Sequence, residues 1–158
     1  MIIKKIDSDL EIILDKTKIY VDPSKPKFGY INILSNPEKN LNTNKFFNMP
    51  GEYEAEGIYL KGYQNNKQLV FVFNFNGINS IYLTEDLTEK TGKLILDEWQ
   101  EINIALIKNK INSLDKIKNK LKFKLIVDIE NKNNLRGEKA KEIKINIKKL
   151  DEKNIILT

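Results

Sequence analysis

The chain contains no cysteine and no histidine in its 158 residues. Without thiolate or imidazole it lacks the side chains that hold zinc, and it lacks the commonest general base at neutral pH. Disulfides are excluded as well. At 18.4 kDa none is needed, because a single domain of this length, 1–158, buries roughly two-thirds of the surface its unfolded chain exposes. Arginine is nearly absent, with Arg136 standing alone against many lysines. No Gly-rich phosphate loop and no G-x-S-x-G elbow occurs, and a serine nucleophile here would need a lysine base. Long apolar runs are missing too. The N-terminal MIIKKIDSDLEIIL interrupts its aliphatic residues with charge, so neither a secretory signal nor a membrane span is expected and the protein is placed in the cytoplasm.

What is present is a lysine-, asparagine- and isoleucine-rich chain with a formal charge of +5, from 27 basic and 22 acidic residues. Short β-branched and aliphatic runs at Ile2 to Ile6, Leu10 to Leu14 and Thr17 to Asp22 are separated by Asp-rich turns, which predicts three antiparallel strands. Another strand is expected at Tyr30 to Leu34, and the polar stretch from Ser35 to Asn48 reads as an irregular loop. The rest is organised around PGEYEAEGIYLKG, from Pro50 to Gly62, whose alternation predicts a surface hairpin. Gln68 to Phe75 and Asn79 to Leu83 flank Asn76-Gly77, a two-residue hairpin turn, and the unbroken apolar run Leu69 to Phe73 implies a strand covered on both faces.

The period then changes. Glu89 to Trp99 spaces Leu94, Ile95 and Trp99 as a helix with Thr88 as its cap, and Ser113 to Leu121 places Leu114, Ile117 and Leu121 on one helical face. Strands are expected at Ile102 to Ile107 and Phe123 to Ile129, and Glu142 to Leu150 is expected to pair with Asn154 to Leu157. This is a strand-rich α/β (α+β) domain with helices only in its second half.

Three sequence elements carry a resemblance. Val21-Asp22-Pro23 ends an N-terminal strand, PGEYEAEGI follows, and Asp86-Leu87 comes after the hairpin 71–83. In this order they resemble the small bacterial metallo-β-lactamase-fold hydrolases of the ascorbate-6-phosphate lactonase type, over nearly the whole length. The resemblance implies a truncated metallo-β-lactamase-like β-sandwich flanked by helices. It also implies a metal site built from His-x-His-x-Asp-His after the strand at 30–34. Here those positions fall on Asn36, Glu38, Asn40 and Leu41, a later histidine falls near Glu130, and only Asp86 stays at a ligand position, where a helix N-cap or turn residue is the competing reading. One carboxylate cannot assemble a catalytic zinc site, which needs about three protein ligands. The expectation is a degenerate, metal-free pseudoenzyme without cofactor, acting as a structural or protein-interaction module, by self-association or on a partner.

Two other readings stay open. Glu38, Glu52, Asp86 and Asp128 could converge on Mg²⁺ or Mn²⁺ as a residual, carboxylate-only hydrolase site. Between Lys108 and Lys124 there are seven lysines and one acid, Asp115, so Lys108, Lys110, Lys116, Lys118, Lys120 and Lys122 could face nucleic-acid phosphates. Against that, no aromatic residue interleaves with the lysines from Lys108 to Lys122 to stack a base. For a protein interface, Tyr20, Phe28, Tyr30, Phe46, Phe47, Tyr59 and Tyr63 are the candidate anchors, though core packing competes for each.

Overall fold

The computed structural model of the protein describes residues 1–37, 45–146, 150 and 152–158. The first elements are β1 (Ile2–Ile6), β2 (Asp9–Leu14), β3 (Thr17–Val21), β4 (Ile31–Ile33), β5 (Phe46–Phe47), β6 (Gly51–Ala55), β7 (Ile58–Asn65), β8 (Gln68–Phe75) and β9 (Ile78–Leu83). There follow α1 (Glu89–Trp99), β10 (Ile104–Ile107), α2 (Leu114–Leu121), β11 (Leu125–Asp128), β12 (Glu138–Ala140), β13 (Glu142–Lys144) and β14 (Lys153–Leu157). Among the described residues no helix is long and apolar enough to cross a membrane.

Two sheets form. The six-stranded one has the order β13-β1-β2-β3-β4-β5 and begins with the antiparallel β1-β2-β3 meander that the Asp-rich turns predict. Asp7 and Asp15 take the left-handed turn positions, φ 55° and 56°, which aspartate tolerates better than most residues. The eight-stranded sheet runs β12-β14-β11-β10-β9-β8-β7-β6. Its β6–β9 half is antiparallel, with Asn76-Gly77 at φ 50° and 79° closing the expected hairpin. From β9 onward the pairing is parallel, and parallel neighbours need crossovers, which α1 and α2 supply.

The continuous apolar run of β8 is explained by this layering. Leu69, Phe71 and Phe73 point into the core between the two sheets, while Val70 and Val72 point into a second core beneath the helices. Both helices pack on the eight-stranded sheet, Ile95 from α1 and Leu114, Ile117 and Leu121 from α2 filling that second core. The sandwich is therefore flanked by helices on one side only among the described residues.

Two expectations change. The stretch 35–48 holds a two-residue strand, β5, paired with β4 where the polar composition implied only a loop. The C-terminal segments do not pair with each other. β13 crosses to the first sheet and pairs with β1, whereas β14 inserts between β11 and β12 of the second. Each strand finds more apolar surface there, Ile143 against the inter-sheet core and Ile155 and Leu157 within it.

Candidate functional site

Parallel strands deliver their following residues to one edge of the sandwich, and in open α/β sheets that edge is where ligands bind. β9, β10 and β11 end in register at Leu83, Ile107 and Asp128, and β3 and β4 end in register at Val21 and Ile33. The residues just beyond them are Asp22, Ser35, Asn36, Thr84, Glu85, Asp86, Lys108, Asn109, Glu130 and Lys132. An open cleft of about 520 Å³ forms there, with Asp22, Asn36, Thr84, Glu85 and Lys108 among its walls.

Each described carboxylate at this edge already has partners. Asp22 accepts from the Ser35 amide at 2.8 Å, the Ser35 hydroxyl at 2.7 Å and the Tyr82 hydroxyl at 2.7 Å, with the Lys108 ammonium 3.8 Å away. Burial, and then the charge of Asp22, push the Tyr82 phenol well above its ordinary range, so it stays a hydrogen-bond donor. Fully buried Asp128 accepts from the amides of Lys132 at 3.2 Å and Asn133 at 2.8 Å, closing the turn after β11. Glu130 pairs with Lys132 at 2.5 Å, and that contact holds its carboxyl below the usual carboxylate range.

Asp86 turns away from the cleft to the start of α2. It accepts from the amides of Asn112 at 3.1 Å and Ser113 at 2.7 Å, from the Asn112 side chain at 3.0 Å and from the Ser113 hydroxyl at 2.5 Å. Ser113 itself makes no side-chain cap, and the carboxylate from the end of β9 anchors Asn112 and the N-cap residue Ser113 just ahead of the helix, near the positive end of its dipole. Burial alone would raise the pKa of Asp86, but the bonds from Ser113 and Asn112 outweigh it and hold the carboxyl low. Behind it, fully buried Asn65 pins the 85–88 segment, donating to Glu85 at 2.9 Å and to the Asp86 carbonyl at 3.0 Å while accepting from the Thr88 amide at 2.9 Å.

Of the positions the resemblance singled out, Asn36 lies in the cleft, Glu130 stands at the same edge in its ion pair, and Asp86 serves α2. Glu38, Asn40 and Leu41 lie outside the described residues. Glu52 sits on edge strand β6, paired with Lys61 at 2.8 Å, and does not join Asp86 or Asp128. No group of three or more Asp or Glu is placed to hold a metal among the described residues. The lysine series divides as well. Lys108 enters the cleft, while Lys116 and Lys120 line a separate groove between α1 and α2.

A catalytic zinc, as the resemblance implies, does not fit these residues. The chain has no imidazole or thiolate to offer, the described carboxylates at this edge are occupied, and the Lys108 and Lys132 ammoniums would repel a divalent cation. Asp22, Tyr82 and Lys108 form a cluster that sequence reasoning did not assemble. Only the strand-ending Asp-Pro hinted at it, because the partners come from three separate strands. Among the aromatic candidates, Tyr20 and Tyr63 are buried, Phe47 packs on the core, and Phe28, Tyr30 and Tyr59 remain exposed.

No protein-family model and no curated protein sequence matches the chain. Solved structures do. A protein of Thermotoga maritima assigned to the zinc-dependent hydrolases of the metallo-β-lactamase superfamily superposes with a TM-score of 0.76 at 20% identity, covering 99% of this chain and 98% of that one. The metallo-β-lactamase fold protein YhfI of Bacillus subtilis gives 0.60 at 7% identity, covering 96% and 88%. A variant of CmlA, the diiron β-hydroxylase of Streptomyces venezuelae, gives 0.63 at 5% identity over 80% of this chain and 45% of that one. By its two packed sheets, its crossover helices and these superpositions, the chain has the metallo-β-lactamase fold.

Proposed function

We propose that the chain is a degenerate relative of the ascorbate-6-phosphate lactonase-like hydrolases, catalytically silent, cytoplasmic, and retained as a protein-interaction module. One observation carries the reading. The described carboxylates at the ligand edge are engaged by groups of the chain itself, and a lysine stands beside Asp22. A hydrolase of this fold needs that edge for metal and water, whereas an interaction module needs it only to be stable. The same occupancy weighs against a carboxylate-only magnesium or manganese site. Nucleic-acid binding through 108–124 is weaker, since Lys108 is drawn into the cleft and the one aromatic residue in the stretch, Phe123, is buried in the core and cannot stack a base.

The test is the metal content of untagged protein purified with zinc, manganese, iron and magnesium on offer, read by elemental mass spectrometry. Well under one equivalent is the expected result. Metal held near one equivalent and lost in Asp86→Ala would overturn the proposal. Solution mass measured over a concentration series then separates self-association from docking on another protein.

A further inference from the structure

The groove between α1 and α2 breaks two rules of helix construction in one place. Gly92 lies in the interior of an eleven-residue helix, where glycine costs about 1 kcal/mol relative to alanine. Nothing in the fold requires it. Its φ is not positive, and among the described residues no atom lies within 4 Å of where a Cβ would stand. Across the groove, Lys116 and Lys120 stand one turn apart on α2, a like-charge spacing that disfavours the helix, and neither makes an ion pair among the described residues. Lys120, in the last turn, gains something from the helix dipole, but Gly92 and the lysine pair still depart from local rules in one place, as functional surfaces do.

Both departures face the same cavity. It holds about 120 Å³, with Leu87, Ile117 and Leu121 as its apolar walls and Gly92 leaving one side open. An apolar cavity of about 150 Å³ takes a benzene ring, so this one has room for a single aliphatic side chain. Glu89 is the acid among its lining residues and belongs to α1, so the α2 side is positive.

We propose that this groove docks an acidic segment of a partner protein, seating one aliphatic side chain beside Gly92 and setting carboxylates against Lys116 and Lys120. The proposal rests on the interaction-module reading and names the chemistry of the partner. A nucleic acid would use the lysines but would have no use for an apolar cavity without an aromatic wall. Apolar anchor and charged rim together are the usual anatomy of a protein interface.

The experiment is a titration of the isotope-labelled full chain, followed by NMR, with a short poly-glutamate peptide carrying one central leucine. A matched peptide with serine in place of leucine and an oligothymidylate of equal charge are the comparisons. The leucine peptide should shift resonances of 87–92 and 113–121 and bind about tenfold or more tightly than the serine peptide, the range a filled apolar pocket supplies. Gly92→Phe fills the cavity and should reduce leucine-peptide binding about tenfold while leaving oligothymidylate binding unchanged. The double change Lys116→Glu and Lys120→Glu, on an exposed face and safe for folding, should abolish both. If Gly92→Phe does not fold, the serine peptide and the lysine double variant still decide the matter. Absence of shifts in the groove, equal binding of the two peptides, or tighter binding of oligothymidylate would each overturn the proposal. Such a failure with a metal-free chain leaves the interaction-module reading standing. Stoichiometric metal would remove that reading whatever the peptide does.

Discussion

Replacing Asp86 by alanine separates a structural carboxylate from a metal ligand. Its four hydrogen bonds hold Asn112 and Ser113, which lead into α2, to the end of β9. A hydrogen bond to a charged group contributes about 1.5–3 kcal/mol, and a carboxylate at a helix start about 0.3–1 kcal/mol. These figures describe the same bonds in different ways and do not add, so the expected destabilisation is about 3 kcal/mol. With a urea slope of about 2 kcal/mol/M, the unfolding midpoint measured by far-ultraviolet circular dichroism should fall by about 1.5 M. Asp86→Asn, which keeps an acceptor but loses the charge, should fall between the two.

The pH dependence of this difference has a definite sign. The folded pKa of Asp86 lies below its ordinary 3.8, so its contribution is complete above about that value and is lost as pH falls through the lower, folded one. The gap between wild type and Asp86→Ala should therefore close in acid. The reasoning is refuted if the midpoint moves by less than about 0.3 M at neutral pH. It is also refuted if zinc raises the wild-type midpoint and Asp86→Ala abolishes the rise, because a ligand that binds only the folded state stabilises it by mass action.

Three further outcomes follow from the same geometry. Glu11, 1% exposed, accepts from the Tyr20 hydroxyl at 2.6 Å and pairs with Lys4 at 2.9 Å and Lys18 at 3.2 Å, so Glu11→Ala should cost about 2–3 kcal/mol in urea unfolding. Burial raises its carboxyl but Tyr20, Lys4 and Lys18 outweigh that and lower it, so the wild type should lose stability as pH falls below about 4.5, a loss Glu11→Gln should lack. Gly62→Ala would set a Cβ 2.7 Å from the Met49 carbonyl oxygen and 2.9 Å from Phe71, and should lower stability by about 1–3 kcal/mol; an unchanged thermal midpoint would contradict this packing. Asn65→Ala should cost about 2–3 kcal/mol and speed hydrogen exchange at the Thr88 amide, its acceptor gone; an equally protected amide would count against the bond.

Much of the fold was legible in the residues because the interactions that decide it are local. Aspartate and asparagine turns, the Thr88 cap and the two-residue period of 51–62 act over a few positions, and the structure follows them. The absence of histidine and cysteine, which removes the ordinary zinc ligands, is likewise a property of the chain alone.

Tertiary structure decided what depends on distant partners. Glu142–Lys144 and Lys153–Leu157 have the same strand character and lie close in sequence, yet they enter different sheets. Nothing in their own residues could assign them, since a strand pairs wherever its apolar face is best covered. The role of Asp86 was equally hidden. As a lone carboxylate it reads as a ligand or a cap, and only the packing of α2 against the end of β9 brings Asn112 and Ser113 to it. Lys108 belongs by spacing to a basic face, but the register of β10 between β9 and β11 turns it toward Asp22. Composition determined which ordinary zinc ligands the chain lacks. The three-dimensional arrangement determined which polar groups are already engaged with one another, because hydrogen-bond partners dozens of residues apart are chosen by packing and not by spacing along the chain.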